Sequence, residues 1–143
     1  MPARHGDVPN AYVKASTDSD VDIYLYVPQD MIVEEVELQR LGVQHTGQVV
    51  LRLQRSNYGL KQAGRLWSKL LQVEMLRAGF VRCMTDTCVF KIDSEVQTVV
   101  GVYVDDLLVT GSTQKCVDQV FMRLATLQIK DLRVANTFLE MIA

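Results

Sequence analysis

The sequence predicts an α+β domain in which an antiparallel sheet is backed by helices. Three observations predict it. The apolar pattern runs strands, helix, strand, hairpin, helix, strand, which is not the regular strand–helix alternation that a parallel sheet requires. Two apolar strand halves, Thr98–Val104 and Leu107–Gly111, stand back to back around Asp105-Asp106 and so read as a hairpin. The chain of 143 residues is 48% apolar and 22% charged, the balance of one globular domain with a buried core.

That composition excludes a disordered tail, a collagen-like fibre and a coiled-coil rod. Three cysteines exclude a disulfide scaffold, and the odd number fits a reducing compartment. No apolar run approaches the roughly 20 residues that cross a bilayer. Met1 to Asp7 lacks the apolar centre of a signal peptide, so the expectation is an intracellular chain without a membrane partner.

Taken in order, His5 to Val13 is short and mixed. Asp18, Ser19, Asp20 and Asp22 form a polar turn. Ile23–Val27 is rich in β-formers and is ended by Pro28. Residues 29–48 read as irregular, with an acidic run at Glu34, Glu35 and Glu37, and Val49–Leu53 reads as a strand. Asn57-Tyr58-Gly59 signals a turn. The best helix follows: Leu60, Ala63, Trp67, Leu70, Leu71 and Met75 recur at helical spacing, and Lys61, Arg65, Lys69 and Glu74 take the other side. Gly79 is placed to cap its C-terminus. Cys88–Asp93 reads as a short strand. After the hairpin, Ser112 or Thr113 caps a second helix that buries Val117, Val120, Phe121 and Leu124. Ile129–Arg133 and Phe138–Ile142 read as short strands.

The net charge of −2 conceals a segregation. Residues 1–51 hold eight acids and three bases, residues 52–82 hold seven bases and one acid, and residues 83–143 hold eight acids and five bases. The basic middle has the sign of a phosphate footprint, and also that of an ordinary solvated helix face.

The informative acids are Asp105 and Asp106. Adjacent carboxylates repel each other and are costly to bury unless a cation neutralises them. A tight hairpin prefers Asn-Gly or Asp-Gly, so Asp-Asp gives up turn propensity for charge. A cation site at the hairpin end explains the choice, and a solvated turn at a sheet edge is the plain alternative. A pair of Mg²⁺ ions roughly 3.5–4 Å apart would activate an attacking hydroxyl and stabilise a leaving oxygen, and hard carboxylate oxygens suit that ion. Neither the histidines nor the cysteines have ligand spacing, and they are assigned no chemistry.

These acids do not stand alone. Tyr103-Val104-Asp105-Asp106 resembles the catalytic hairpin of reverse transcriptases. Tyr58-Gly59-Leu60-Lys61-Gln62-Ala63, followed by Arg65 and Trp67, resembles a long and specific signature of copia-type retrotransposon polymerases. Asp86 fits the same spacing. Asp7-Val8-Pro9-Asn10-Ala11-Tyr12 is similar to that family's first catalytic block, and Ile23 to Pro28 to the piece after it. Ile129-Lys130-Asp131-Leu132 and Phe138-Leu139 are similar to its later segments. The likeness is collinear over nearly the whole chain.

The resemblance implies a ferredoxin-like polymerase palm over residues 1–143, with the fingers largely missing and the thumb and RNase H absent. It implies templated DNA synthesis from deoxynucleoside triphosphates on an RNA or DNA template-primer, with Mg²⁺ or Mn²⁺ as the metal. Asp7, Asp105 and Asp106 match the metal-binding and catalytic acids, Asp106 being the third, whose direct role is smaller. Tyr12 matches the aromatic that lies against the incoming sugar, and Gln62 a residue that touches the nucleotide. Lys61 and Arg65 are placed to meet phosphates, Lys130 matches a lysine near the leaving pyrophosphate, and Tyr103 packs under the primer terminus. Trp67 reads as core. Departures from the family pattern are Asn10, Asn57 in place of an apolar residue, and Ala15, Arg133 and Glu140 in place of glycines. The expectation is a polyprotein segment, inactive alone and, within an active element, housed in a cytoplasmic virus-like particle. A non-enzymatic transposon remnant with residual metal or nucleic-acid binding is the second reading. A phosphoacceptor receiver domain, which needs a parallel sheet, is the third.

Overall fold

In a computed structural model of the chain, residues 1–18, 20–92 and 97–134 are described, together with the backbone of 137–138 and 141–142. The strands are β1 (Ala3–Asp7), β2 (Tyr24–Tyr26), β3 (Val50–Arg52), β4 (Val81–Arg82), β5 (Val89–Ile92), β6 (Thr98–Tyr103), β7 (Asp106–Gly111), β8 (Lys130–Val134), β9 (Thr137–Phe138) and β10 (Met141–Ile142). The α-helices are α1 (Ala11–Lys14), α2 (Glu35–Leu41), α3 (Ala63–Arg77) and α4 (Gln114–Arg123).

Six strands form one sheet in the order β4-β5-β6-β7-β1-β8, and every pairing in it is antiparallel. This excludes the receiver-domain reading, whose sheet is parallel. Along the chain β1, α3, β6, β7, α4 and β8 run β-α-β-β-α-β, and the long helices return the chain so that β7 inserts between β6 and β1. The strands β2 and β3 pair apart from this sheet, as do β9 and β10.

One sheet face is buried. Leu107 and Val109 of β7, Val100 of β6 and Phe90 of β5 join Trp67, Leu71 and Met75 of α3 and Val117 and Val120 of α4 in a single core. The alternate residues of β1 and β7 lie on the other face and stay half-exposed. Period-2 alternation thus divides the strands into a packing side and an open side.

The α3 helix ends as its glycine predicts. Gly79 has φ 88°, its N–H donates to the Leu76 carbonyl, and that of Phe80 reaches the Met75 carbonyl. Thr113 caps α4, accepting from the Cys116 N–H. Four of the elements were not foreseen. The mixed stretch after residue 2 contains both β1 and α1, β4 is only two residues long, and α2 interrupts the stretch expected to be irregular. α2 buries none of its residues, so no apolar stripe marks it, although Gly42 ends it in the left-handed conformation. Asp93, Leu139 and Glu140 lie outside the described residues.

Candidate active site

Four predicted site residues stand in one row across four strands. Tyr103 of β6 pairs with Asp106 of β7, Asp106 with Asp7 of β1, and Asp7 with Lys130 of β8. Residues directly opposite in a ladder project to the same side. The row is therefore on the open face, at the ends of the central strands. Asp7, Asp105 and Asp106 are half-buried, while Tyr103 and Lys130 are exposed.

Asp105 lies in the two-residue loop between Tyr103 and Asp106. Val104, its first residue, has φ 55°. A primed hairpin turn requires a positive φ there and normally takes glycine. A β-branched side chain in that region is strained by about 1–3 kcal/mol. Two hydrogen bonds hold the loop in place. The indole N–H of buried Trp67 donates to the Val104 carbonyl at 2.6 Å, and the Val8 N–H donates to the Asp105 carbonyl at 2.8 Å. The core tryptophan is thus also a clamp on the acidic turn.

The other predicted residues lie around the base of this turn. Tyr12 sits on α1, partly buried against the core, with its ring centroid 4.6 Å from that of Tyr58. This contact brings the Asn57-Tyr58-Gly59 turn beside the segment that follows Asp7. Gln62 is the N-cap of α3 and makes no side-chain capping bond, and Lys61 before it is exposed. Arg65 points to Asp18, with which it forms an ion pair, so it is not part of the carboxylate row. Asp86 shapes its own turn, accepting from the Cys88 N–H at 2.9 Å.

Sequence reasoning missed His5. Its Nε2 stands 2.8 Å from Asp106 Oδ1. An ionised carboxylate only accepts, so Nε2 carries the proton of this bond. The signal was the spacing: two residues before Asp7 on one strand is the same face.

Among the described residues, no three His, Cys, Asp or Glu side chains stand close enough to hold a metal ion by themselves. The donors nevertheless suit Mg²⁺ in kind, being carboxylates on adjacent strand ends. Asp7 and Asp105 have no side-chain hydrogen bond or ion pair among the described residues, whereas Asp106 is engaged by His5.

The site is thus an antiparallel sheet that presents carboxylates at the ends of its central strands, with an exposed tyrosine and an exposed lysine on either side. The comparisons with known proteins specify it further. Residues 1–142 match the family model described as reverse transcriptase (RNA-dependent DNA polymerase), and the chain belongs to that family, in its copia-type branch. The retrovirus-related Pol polyprotein from transposon RE1 of Arabidopsis thaliana is 34% identical over 112 residues, covering 78% of this chain and 7% of the polyprotein. The transposon Ty5-1 protein of Saccharomyces cerevisiae is 30% identical over 135 residues, 93% of this chain and 40% of the relative. The Pol polyprotein from transposon TNT 1-94 of Nicotiana tabacum is 30% identical over 138 residues, 94% of this chain and 10% of the polyprotein. The chain therefore spans under half the length of each of these relatives. No solved structure matches it significantly.

Proposed function

We propose that the chain is the ferredoxin-like palm of a copia-type reverse transcriptase, adding deoxynucleotides to a primer 3′-hydroxyl by two-metal catalysis within a longer polyprotein. The single observation that carries this reading is the row Tyr103–Asp106–Asp7–Lys130 with Asp105 in the adjoining turn. The β-α-β-β-α-β order supports the palm assignment.

Asp7 and Asp105 would hold Mg²⁺ or Mn²⁺, and such an ion, when bound, neutralises charge on the triphosphate and lowers the pKa of the attacking hydroxyl. The chain's own residues supply position. Asp7 and Asp105 are fixed by the ladder and the clamped turn, so little reorganisation is required of them. Tyr103 offers an exposed ring beside the acids, where the primer terminus would rest. Lys130, level with Asp7 on the opposite flank, provides a cation for the pyrophosphate. Tyr12, braced by Tyr58, would press on the sugar and exclude a 2′-hydroxyl. Gln62 and Lys61, at the start of α3, are placed to meet the nucleotide. Template, primer and nucleotides are the partners of this reading, and the element's cytoplasmic particle is its setting.

Primer extension on a poly-rA template with Mg²⁺ or Mn²⁺ tests it, on this chain and on one extended with a fingers segment. The expected result is extension by the longer chain that Asp105→Asn abolishes. No extension by either, with the fold intact by circular dichroism, would favour the non-enzymatic remnant.

A further inference from the structure

The three acids are not equivalent in their surroundings. Asp106 reaches His5, which pairs in register with Leu108, two residues into the β7 strand. Its carboxylate is thereby drawn back along the sheet, away from the strand ends where Asp105 lies. His5 itself is well placed to hold it. It lies mid-strand in β1, between β7 and β8, and its side chain is only 18% exposed. Asp7 and Asp105 have no such partner among the described residues.

We propose that His5 is a positioning residue which, by holding Asp106 through Nε2, divides the acids into a metal-holding pair, Asp7 and Asp105, and a supporting third. The inference rests on the metal-dependent reading above and goes beyond it, because that reading gives His5 no part. An outer partner of this kind fixes the orientation of a ligating group or withholds one. The Nε2–H bond occupies one carboxylate oxygen and fixes the orientation of the Asp106 side chain. If the bond is removed, Asp106 is released to turn toward the strand ends and join the cation site.

Mn²⁺ binding to this chain, followed by electron paramagnetic resonance, separates the roles. Asp7→Asn and Asp105→Asn should each weaken binding about tenfold or more, the range in which ligand-shell changes act. Asp106→Asn should weaken it less than either of these while His5 is present. In a His5→Ala background the same substitution should cost about fivefold, because the freed carboxylate now contributes. His5→Gln, which keeps an N–H donor, should restore the wild-type pattern. Independently of metal, Asp106→Asn should shift the His5 ¹⁵Nε2 resonance.

The proposal is overturned if Asp106→Asn weakens Mn²⁺ binding as much as Asp105→Asn does, or stays silent in His5→Ala. It is also overturned if the His5 resonance does not move. If neither Asp7→Asn nor Asp105→Asn affects Mn²⁺, or the chain binds none, the metal reading itself fails and takes this inference with it.

Discussion

Arg133 occupies a backbone position made for glycine. Its φ is 67°, and it lies where β8 slips by one residue against β1, between the pairs Arg4–Val134 and Gly6–Asp131. A bulge of this kind favours glycine because a Cβ crowds the neighbouring carbonyl. The conformation is retained because the Arg133 N–H donates to Asp131 Oδ1 at 2.7 Å. Arg133→Gly should therefore raise stability by about 0.5–1 kcal/mol, the strain relieved less the entropy lost, measured as a rise in the urea midpoint at unchanged m-value. Asn10 solves the same problem differently: its φ is 55°, in a region its side chain tolerates. Cys83 is chemically distinct as well. The Thr85 hydroxyl 3.1 Å from its sulfur, with the backbone N–H groups of Asp86 and Thr85, holds its thiol below the ordinary value. Because the thiolate is the reactive form, its share at a given pH rises as the pKa falls. Iodoacetamide labelling of Cys83, followed by mass spectrometry, should have a half-point below that of an unperturbed thiol, and Thr85→Val should move it upward.

The β6–β7 hairpin is a rigid element with a strained tip. Its six paired rungs fix the strands, while Val104 carries the cost of the turn and Trp67 and Val8 offset it with hydrogen bonds. Trp67→Phe preserves most of the ring's packing but leaves the Val104 carbonyl without its indole donor. The net worth of such a partly buried hydrogen bond is about 0.5–1.5 kcal/mol, so the variant should lose about that much in equilibrium unfolding. Amide exchange at Asp105 and Asp106 should speed up more than exchange in α4. Equal acceleration in both would mean that Trp67 supports only the core. The hairpin was legible in the sequence because two apolar halves flank a charged pair. The clamp was not, because α3 reaches the tip only after the chain has folded.

At the scale of the whole molecule, β1 is the strand through which the parts communicate. It pairs with β7 on one side and β8 on the other, and Arg4 on its packed face forms ion pairs with Asp118 of α4 and Asp131 of β8 beside the Phe121 ring. Gly6, next along the same face, leaves no room: an added Cβ would lie 2.7 Å from Ile129 Cγ2 and 3.0 Å from the Phe121 ring. Gly6→Ala should destabilise the fold by about 1–3 kcal/mol through overpacking, read as a lower thermal midpoint, and should disturb the Asp7–Lys130 register before it disturbs α3. β1, like the two-residue β4, is a strand that reading the sequence failed to find. Its five residues are Ala3, Arg4, His5, Gly6 and Asp7, without a single strong β-former, so periodicity and propensity were silent. The collinear motifs nevertheless singled out Asp7, and hydrophobic patterning singled out β6, β7, α3 and α4. The sequence by itself thus determined the family and the helix-backed antiparallel class, because these follow from local spacing and residue type. Only the tertiary structure decided that Tyr103, Asp106, Asp7 and Lys130 form one row, that Arg65 belongs to Asp18, and that His5 holds Asp106. Those facts depend on register between strands distant along the chain, and register is settled by cooperative packing of the whole sheet rather than by any stretch of it.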